Sequence, residues 1–386
     1  MRSLIQEFKR ILKSLIFLGL IVAFVLALVS QLGSKPPEFQ EPKPNQETYG
    51  IYLTDDLDYI YPNLMVDLKT AVDANYFATY PFGFYREKNL NDSELNAIKA
   101  IMAEMAGKPY EEISDNDHLK NPSQAKLELQ LEKIDALIGG GSFYASDEYK
   151  VHFGKKGMSY EEALSDYHLM RGQGFDLAFA RYFSDYAGIF TMLLTWFMGL
   201  YLWNKDRKEG VANTLYVKSI SSLKLIMTRV LAMSLAILLI ILAIFTYYEG
   251  QLLFDYGLDL LSPLKAYGLV IAWILPIILF IVSLSSLITI ASKSILFGFL
   301  GPIFSMVYLM SSSANIYYNI GYVLLLRYNS VGNEKYFISQ INTFLIGRTV
   351  WLVLAILIIV LTVFLYERRR RGYHAFKSIL PIKNRV

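Results

Sequence analysis

The residues best typed for chemistry in this chain are few and scattered. Ser221 and Lys224 sit three apart in Ser-Ser-Leu-Lys, the S-x-x-K spacing of a serine nucleophile with a lysine partner. Neither S-D-N nor K-T-G follows, so the pair stands alone. The four histidines, at 118, 152, 168 and 374, have no spacing that gathers a metal-ligand set. G-x-x-x-x-G-K-[ST], H-E-x-x-H and G-x-S-x-G are all missing, which removes the usual signatures of ATP hydrolysis, zinc hydrolysis and serine-hydrolase chemistry. There are no cysteines, hence no disulfide, thiolate metal site or thiol nucleophile. The sequence therefore reads as a non-enzyme with no catalytic, cofactor-binding or metal site. What remains is a charged, half-apolar connection, Asn204–Val230, which reads NKDRKEGVANTLYVKSISSLKLIMTRV. Its chemistry would be docking and the transmission of movement.

That connection must be held by the elements on either side of it, and composition says what they are. Hydrophobic residues make up 54% of the 386 and charged residues only 18%, richer in apolar groups than an ordinary soluble domain. Uncharged runs cover Ser14–Ser34, Tyr186–Asn204, Val230–Tyr248, Ala266–Ser292, Ser294–Leu326 and Thr349–Tyr366. Each is long enough for the roughly 20 helical residues that cross a hydrocarbon core about 30 Å thick. The expected fold is an all-α polytopic membrane protein with six transmembrane helices and a mostly α-helical extracytoplasmic domain between helices one and two.

Sidedness follows from the bases, which resist translocation near span ends. Lys and Arg crowd the first flank (Arg2, Lys9, Arg10, Lys13), the 204–230 connection, and a tail with four consecutive arginines from Arg368 to Arg371. Glu249–Pro263 carries no base, and Ser311–Gly347 carries only Arg327 and Lys335. Both termini are thus expected in the cytoplasm, with an acidic stretch, 35–183, outside the plasma membrane. The net charge of +3 reports this asymmetry and no nucleic-acid partner. Span one, 14–34, is expected to stay uncleaved, since no good A-x-A site follows it.

Within this frame, residues 1–13 place Leu4, Ile5, Phe8, Ile11 and Leu12 at helical spacing opposite the bases. They form either an amphipathic helix on the inner leaflet or a straight extension of span one. Prolines 36, 37, 42 and 44 mark an extended tether. In the acidic domain, helices are expected over Asp92–Gly107, from Asn121-Pro122 to the glycines 139–141, and over Tyr160–Arg171 behind a Ser159/Glu162 capping box. Tyr49–Leu53 is the one expected strand. Many tyrosines in this domain can serve packing or offer an aromatic surface, and packing is the simpler account. The helix from Phe175 should run directly into span two, completing 184–366 as spans two to six. Pro276 and Gly301-Pro302 should kink spans four and five. The apolar run after span five is too long for one crossing, so 311–347 is expected to re-enter the membrane as short helices, Ile316–Leu326 and Tyr336–Ile346, before span six and the tail 367–386. No charge falls near the middle of a span, which argues against a proton-coupled carrier.

Physically, the 204–229 connection begins as a charged helix end, breaks at Gly210, and continues through Leu215, Tyr216, Ile220, Leu223 and Ile226. A short half-apolar helix of this kind fits a partner's groove; otherwise it is a solvated turn. The segment resembles that of the six-helix permeases of ATP-binding-cassette exporters, the type-2 permeases. Members carry an acid-base-x-x-Gly stretch after span two, a Leu-Tyr or similar pair, a serine-rich turn and a base opening span three. Here the matching residues are Asp206, Arg207, Glu209, Gly210, Leu215, Tyr216, Ser221, Ser222 and Arg229. Val211 stands where members often have threonine.

The resemblance implies that these nine residues form a coupling helix docked on a separate ATPase subunit, which would carry ATP and magnesium. It also implies a second permease, identical or related, as partner, with lipid around both. It names no substrate. The absence of intramembrane charge favours an amphipathic, peptide-like or lipid-like cargo. The alternative is a membrane sensor or immunity protein whose outer domain binds a peptide or envelope component without transport.

Overall fold

The structure, a computed structural model, describes residues 2–80, 85–114, 123–146, 148–208, 220–257, 261–292, 295–311 and 320–371. It is mostly helical, and two compact units can be separated in it. One gathers Met1–Phe39, Leu169–Ser305 and Ile320–Val386, and the other Gln40–His168 with Met306–Asn319, so that the end of the helix Ile295–Ser311 falls to the second.

The first unit is a bundle. Its helices are α1 (Arg2–Leu12), α2 (Leu15–Leu32), α8 (Phe175–Lys208), α9 (Ser222–Tyr256), α10 (Leu261–Ser292), α11 (Ile295–Ser311), α12 (Glu334–Ser339) and α13 (Ile341–Arg370). Five of them, α2, α8, α9, α10 and α13, are long and apolar enough to cross a membrane. The fifth apolar run of the sequence yields α11 instead, 17 residues with a shorter apolar core over Gly298–Val307. Helices α8 and α10 form the centre, packed against each other along their lengths, with α13 on the far side of α10. In the apolar windows of these helices 67% and 61% of residues are buried, against 22% for α2 and 28% for α13, which places the latter two at the periphery. Their outward side chains stay apolar: Leu26 on α2, and Ile356, Val360 and Phe364 on α13, are all exposed. In water such a stripe would be an unusually large apolar patch, whereas lipid is its natural solvent.

Small residues let the central helices approach. A Cβ on Gly199 would lie 2.0 Å from Ser285 Oγ, and one on Gly301 would lie 2.5 Å from the Trp196 ring. The indoles on this face are anchored by hydroxyls, Trp196 Nε1 donating to Ser305 Oγ at 2.7 Å and Trp203 Nε1 to Ser286 Oγ at 2.8 Å. Pro276 and Pro302 lie inside α10 and α11, which continue through them.

Two expectations for the bundle resolve differently. The N-terminal segment does not continue α2 as a straight helix. Ser14 breaks the chain in an extended conformation and caps α2, leaving α1 a separate amphipathic helix packed on α9. The proline tether is not free along its first part: Tyr248 Oη donates to the Gly33 carbonyl at 2.6 Å, and Tyr256 Oη accepts from Phe39 N at 2.8 Å.

The second unit carries α3 (Leu57–Ala74), α4 (Asp92–Ala106), α5 (Gln124–Ile138) and α6 (Tyr149–Phe153), and α7 (Tyr160–Gln173) leaves it. Two antiparallel pairs, β1 (Ile51–Leu53) with β4 (Lys155–Gly157) and β2 (Phe77–Thr79) with β3 (Arg86–Lys88), edge the helices. The Asn91/Glu94 and Ser159/Glu162 capping boxes both close, and α5 starts behind Ser123 and stops at Gly139. The core repeats every third or fourth residue, with Ile60, Leu64, Leu68 from α3, Ile98, Met102 from α4, and Leu127, Leu131, Ile134 from α5. Several tyrosines belong to this core with their hydroxyls satisfied. Tyr61 donates to the Met105 carbonyl at 2.7 Å, Tyr144 to Asp67 at 2.7 Å and Tyr110 to Asp73 at 2.5 Å. Burial pushes the Tyr61 hydroxyl up to about 12. The hydrogen bond from Tyr110, with Lys69 beside it, holds the Asp73 carboxyl below the usual range.

Candidate functional site

The segment singled out from sequence is bounded by two helix ends, and the structure shows how each is fixed. Asp206 and Arg207 fall in the last turn of α8. Glu209, Gly210, Leu215 and Tyr216 lie outside the described residues. On the return side, Ser221 is the N-cap of α9 and its Oγ accepts from the Lys224 backbone N at 3.2 Å. That bond satisfies one of the free N–H groups of the first turn, and it accounts for the S-x-x-K spacing as a helix cap rather than a nucleophile.

Ser222 opens the first turn and Arg229 follows two turns later, and each reaches a different helix. Ser222 Oγ donates to the Glu367 carboxylate on α13. From the same turn of α13, Arg370 donates to the Ile220 carbonyl at 2.7 Å, and Arg369 to the Ala291 carbonyl at the end of α10 at 3.0 Å. Arg229 lies 3.5 Å from Glu7 of α1 and stacks 4.6 Å from the centre of the Trp203 ring on α8. Glu7 is shared with Arg10, 3.4 Å away. The return of the connection is thus clasped by α1, α8 and α13. Arg229 is 5% exposed, so its charge is shielded from the solvent that weakens surface pairs.

At the other end of the bundle lies a set of buried charges that sequence reasoning missed. Arg181 and Glu334 pair at 2.7 Å, with side chains 1% and 2% exposed. Arg181 also donates to the Val331 and Gly332 carbonyls and lies over the Tyr328 and Phe337 rings at 4.5 and 4.8 Å. Arg327 lies 2.8 Å from Asp185, whose other oxygen accepts from Asn329 N at 2.6 Å. Arg348 donates to the Leu324 carbonyl at 2.9 Å and to the Val323 carbonyl. Trp351 Nε1 donates to the Tyr322 carbonyl at 2.8 Å.

These contacts explain why 320–326 departs from the expected Ile316–Leu326 helix. Residues 320–326 run as irregular chain, 316–319 lie outside the described residues, and helix resumes only at α12. The expected Tyr336–Ile346 helix is divided at Gln340, with its second half continuous with α13. Irregular chain leaves carbonyls without intrahelical donors, and burial without partners is costly. Arginine presents five donors in a rigid fork, and here Arg181 and Arg348 supply them. The signal in the sequence was three arginines, 181, 327 and 348, set just outside apolar runs.

Among the described residues no group of three or more His, Cys, Asp or Glu gathers. His152 stacks on Phe143 at 3.9 Å, where burial lowers its affinity for a proton. No protein-family model, no curated protein and no solved structure matches this chain.

Proposed function

We propose that this chain is the membrane permease subunit of an ATP-binding-cassette exporter, working as a homo- or heterodimer with separate ATPase subunits that bind ATP and magnesium. The observation that supports it best is the clasp around Ile220–Arg229. A segment that receives a push must pass it to the helices behind it. Arg229 is bonded to α1 and α8 and Ser222 to α13, so displacement of 206–222 would move several helices together.

In this reading α11 makes the sixth crossing. Both termini and the 204–229 loop face the cytoplasm, and the 35–183 domain faces outward, where it guards the exit or selects an amphipathic, peptide-like or lipid-like cargo. The chain's lack of cysteine permits a clean test of sidedness. An impermeant maleimide should label a single cysteine at Ser123 in intact cells and one at Ser219 only after permeabilisation, and labelling of both in intact cells overturns the topology. For function, the tagged full chain should co-purify with a P-loop ATPase. Deleting Glu209–Tyr216 should leave insertion intact and abolish cargo-stimulated turnover. Undiminished turnover in that deletion refutes the coupling role, and recovery of a kinase in place of an ATPase favours the sensor reading.

A further inference from the structure

Glu249 is an acid in an awkward place. It lies in α9, directly after the apolar run, and is 2% exposed. Neither carboxylate oxygen meets a donor, and the one side chain within bonding reach of it is the Asp176 carboxyl, which could donate only by holding a proton. Among the described residues the charged group acting on it is Asp176, which is itself acidic. Asp176 is 6% exposed, and its Oδ2 is likewise without a hydrogen bond. Two adjacent carboxylates cut off from water repel each other and forfeit their hydration, a cost of several kcal/mol per ion by order of magnitude unless a positive species joins them.

The neighbours of Asp176 are oxygens. Ser262, first turn of α10, donates from Oγ to Asp176 Oδ1 and lies 3.3 Å from the Gln173 carbonyl. Gln173 is the last residue of α7, so its carbonyl belongs to the electronegative end of a helix. The turn between α7 and α8 is made by Gly174 at φ +106°, where a Cβ would sit 1.7 Å from Ser262 Oγ and 2.3 Å from Asp176 Oδ1. Only glycine lets the backbone close on these groups. Phe175 stacks with Phe39 at 4.6 Å and meets Tyr256 at 4.9 Å, placing aromatic bulk beside Asp176 in the chain. An acid in the first turn of α8 is ordinary helix chemistry and would explain Asp176 alone. It leaves Glu249 unexplained.

We propose that Asp176 and Glu249, with Ser262 Oγ and the Gln173 carbonyl, bind a calcium-class divalent cation. Two carboxylates match a charge of +2. An all-oxygen set suits a hard ion and disfavours zinc, which favours nitrogen and sulfur. Magnesium gives up its waters reluctantly and demands near-octahedral geometry, whereas calcium accepts irregular, largely dehydrated oxygen shells. The ion would tie α7, α8, α9 and α10 together at one point.

Radiolabelled calcium binding to the detergent-purified full chain tests this directly. Wild type should bind one more calcium per chain than Glu249→Gln or Asp176→Asn, saturating at roughly 0.1–1 mM, the range of extracellular calcium modules. Magnesium at equal concentration should not compete. Ser262→Ala, which keeps both carboxylates, should weaken that calcium several-fold, so the inference stays testable where a carboxylate variant fails to fold. Equal calcium stoichiometry in wild type and Glu249→Gln overturns it. So does a wild-type Tm that is the same with and without millimolar calcium, since the pair would then be neutralised by a shared proton and need no ion.

Discussion

The Arg229 guanidinium stands between Glu7, 3.5 Å away on α1, and the Trp203 ring, 4.6 Å away on α8. One side chain at the start of α9 thereby fixes the amphipathic N-terminal helix and the end of α8 to the same point. Arg229→Met keeps the aliphatic stem and removes the charge. It should loosen α1 by about 1–3 kcal/mol, the scale of hydrogen bonds to charged groups. Limited trypsinolysis at Lys9, Arg10 and Lys13 should speed up several-fold, and an unchanged cleavage rate would show that α1 is held by its apolar face alone.

Arg181 and Glu334 form a buried ion pair, so deleting one partner strands the other. Arg181→Met or Glu334→Met alone should cost about 3–5 kcal/mol. The double variant should cost less than the sum of the two, because no orphan charge remains. A double-mutant cycle in denaturant or heat measures this, and strict additivity would mean that the pair is not coupled.

Arg348 bridges two successive carbonyls, of Val323 and Leu324, with a planar fork. Lysine offers a single ammonium and cannot reproduce that geometry. Arg348→Lys should destabilise the 320–333 segment by about 1–3 kcal/mol through one unsatisfied carbonyl. Hydrogen exchange followed by mass spectrometry should show faster exchange over 320–333 with the second unit unchanged.

His152 supplies a pH dependence of known sign. Burial, with Lys155 adding to it, lowers its folded-state value below the ordinary 6.5. The unfolded chain therefore binds the proton more readily. The contribution is complete above the ordinary value and is lost as pH falls from there through the lower folded value. Hydrogen-exchange protection over 149–153 in the full chain, corrected for the intrinsic pH dependence of amide exchange, should fall in wild type as pH drops below 6.5, and His152→Phe should abolish that fall. Asp73 is held down by Tyr110 and Lys69, and it loses its contribution only at lower pH, below the ordinary carboxylate value. The two effects therefore separate on the pH axis.

Local rules carried a large part of this structure. Apolar run length placed α2, α8, α9, α10 and α13, because a helix in lipid must satisfy its own backbone over the full membrane thickness. Serine followed three residues later by glutamate placed the start of α7, and Gly107 and Gly139 placed the ends of α4 and α5, since capping is settled within one turn of chain. Tertiary structure alone decided the rest. The irregular 320–333 segment exists because Arg181 and Arg348, up to 151 residues away, donate to its carbonyls. The approach of Asp176, Glu249 and Ser262 depends on how three helices pack. A hydrogen bond between distant residues leaves no periodic trace in either partner's neighbourhood, so an arginine beside an apolar run reads as a flank until the fold shows which oxygens it faces.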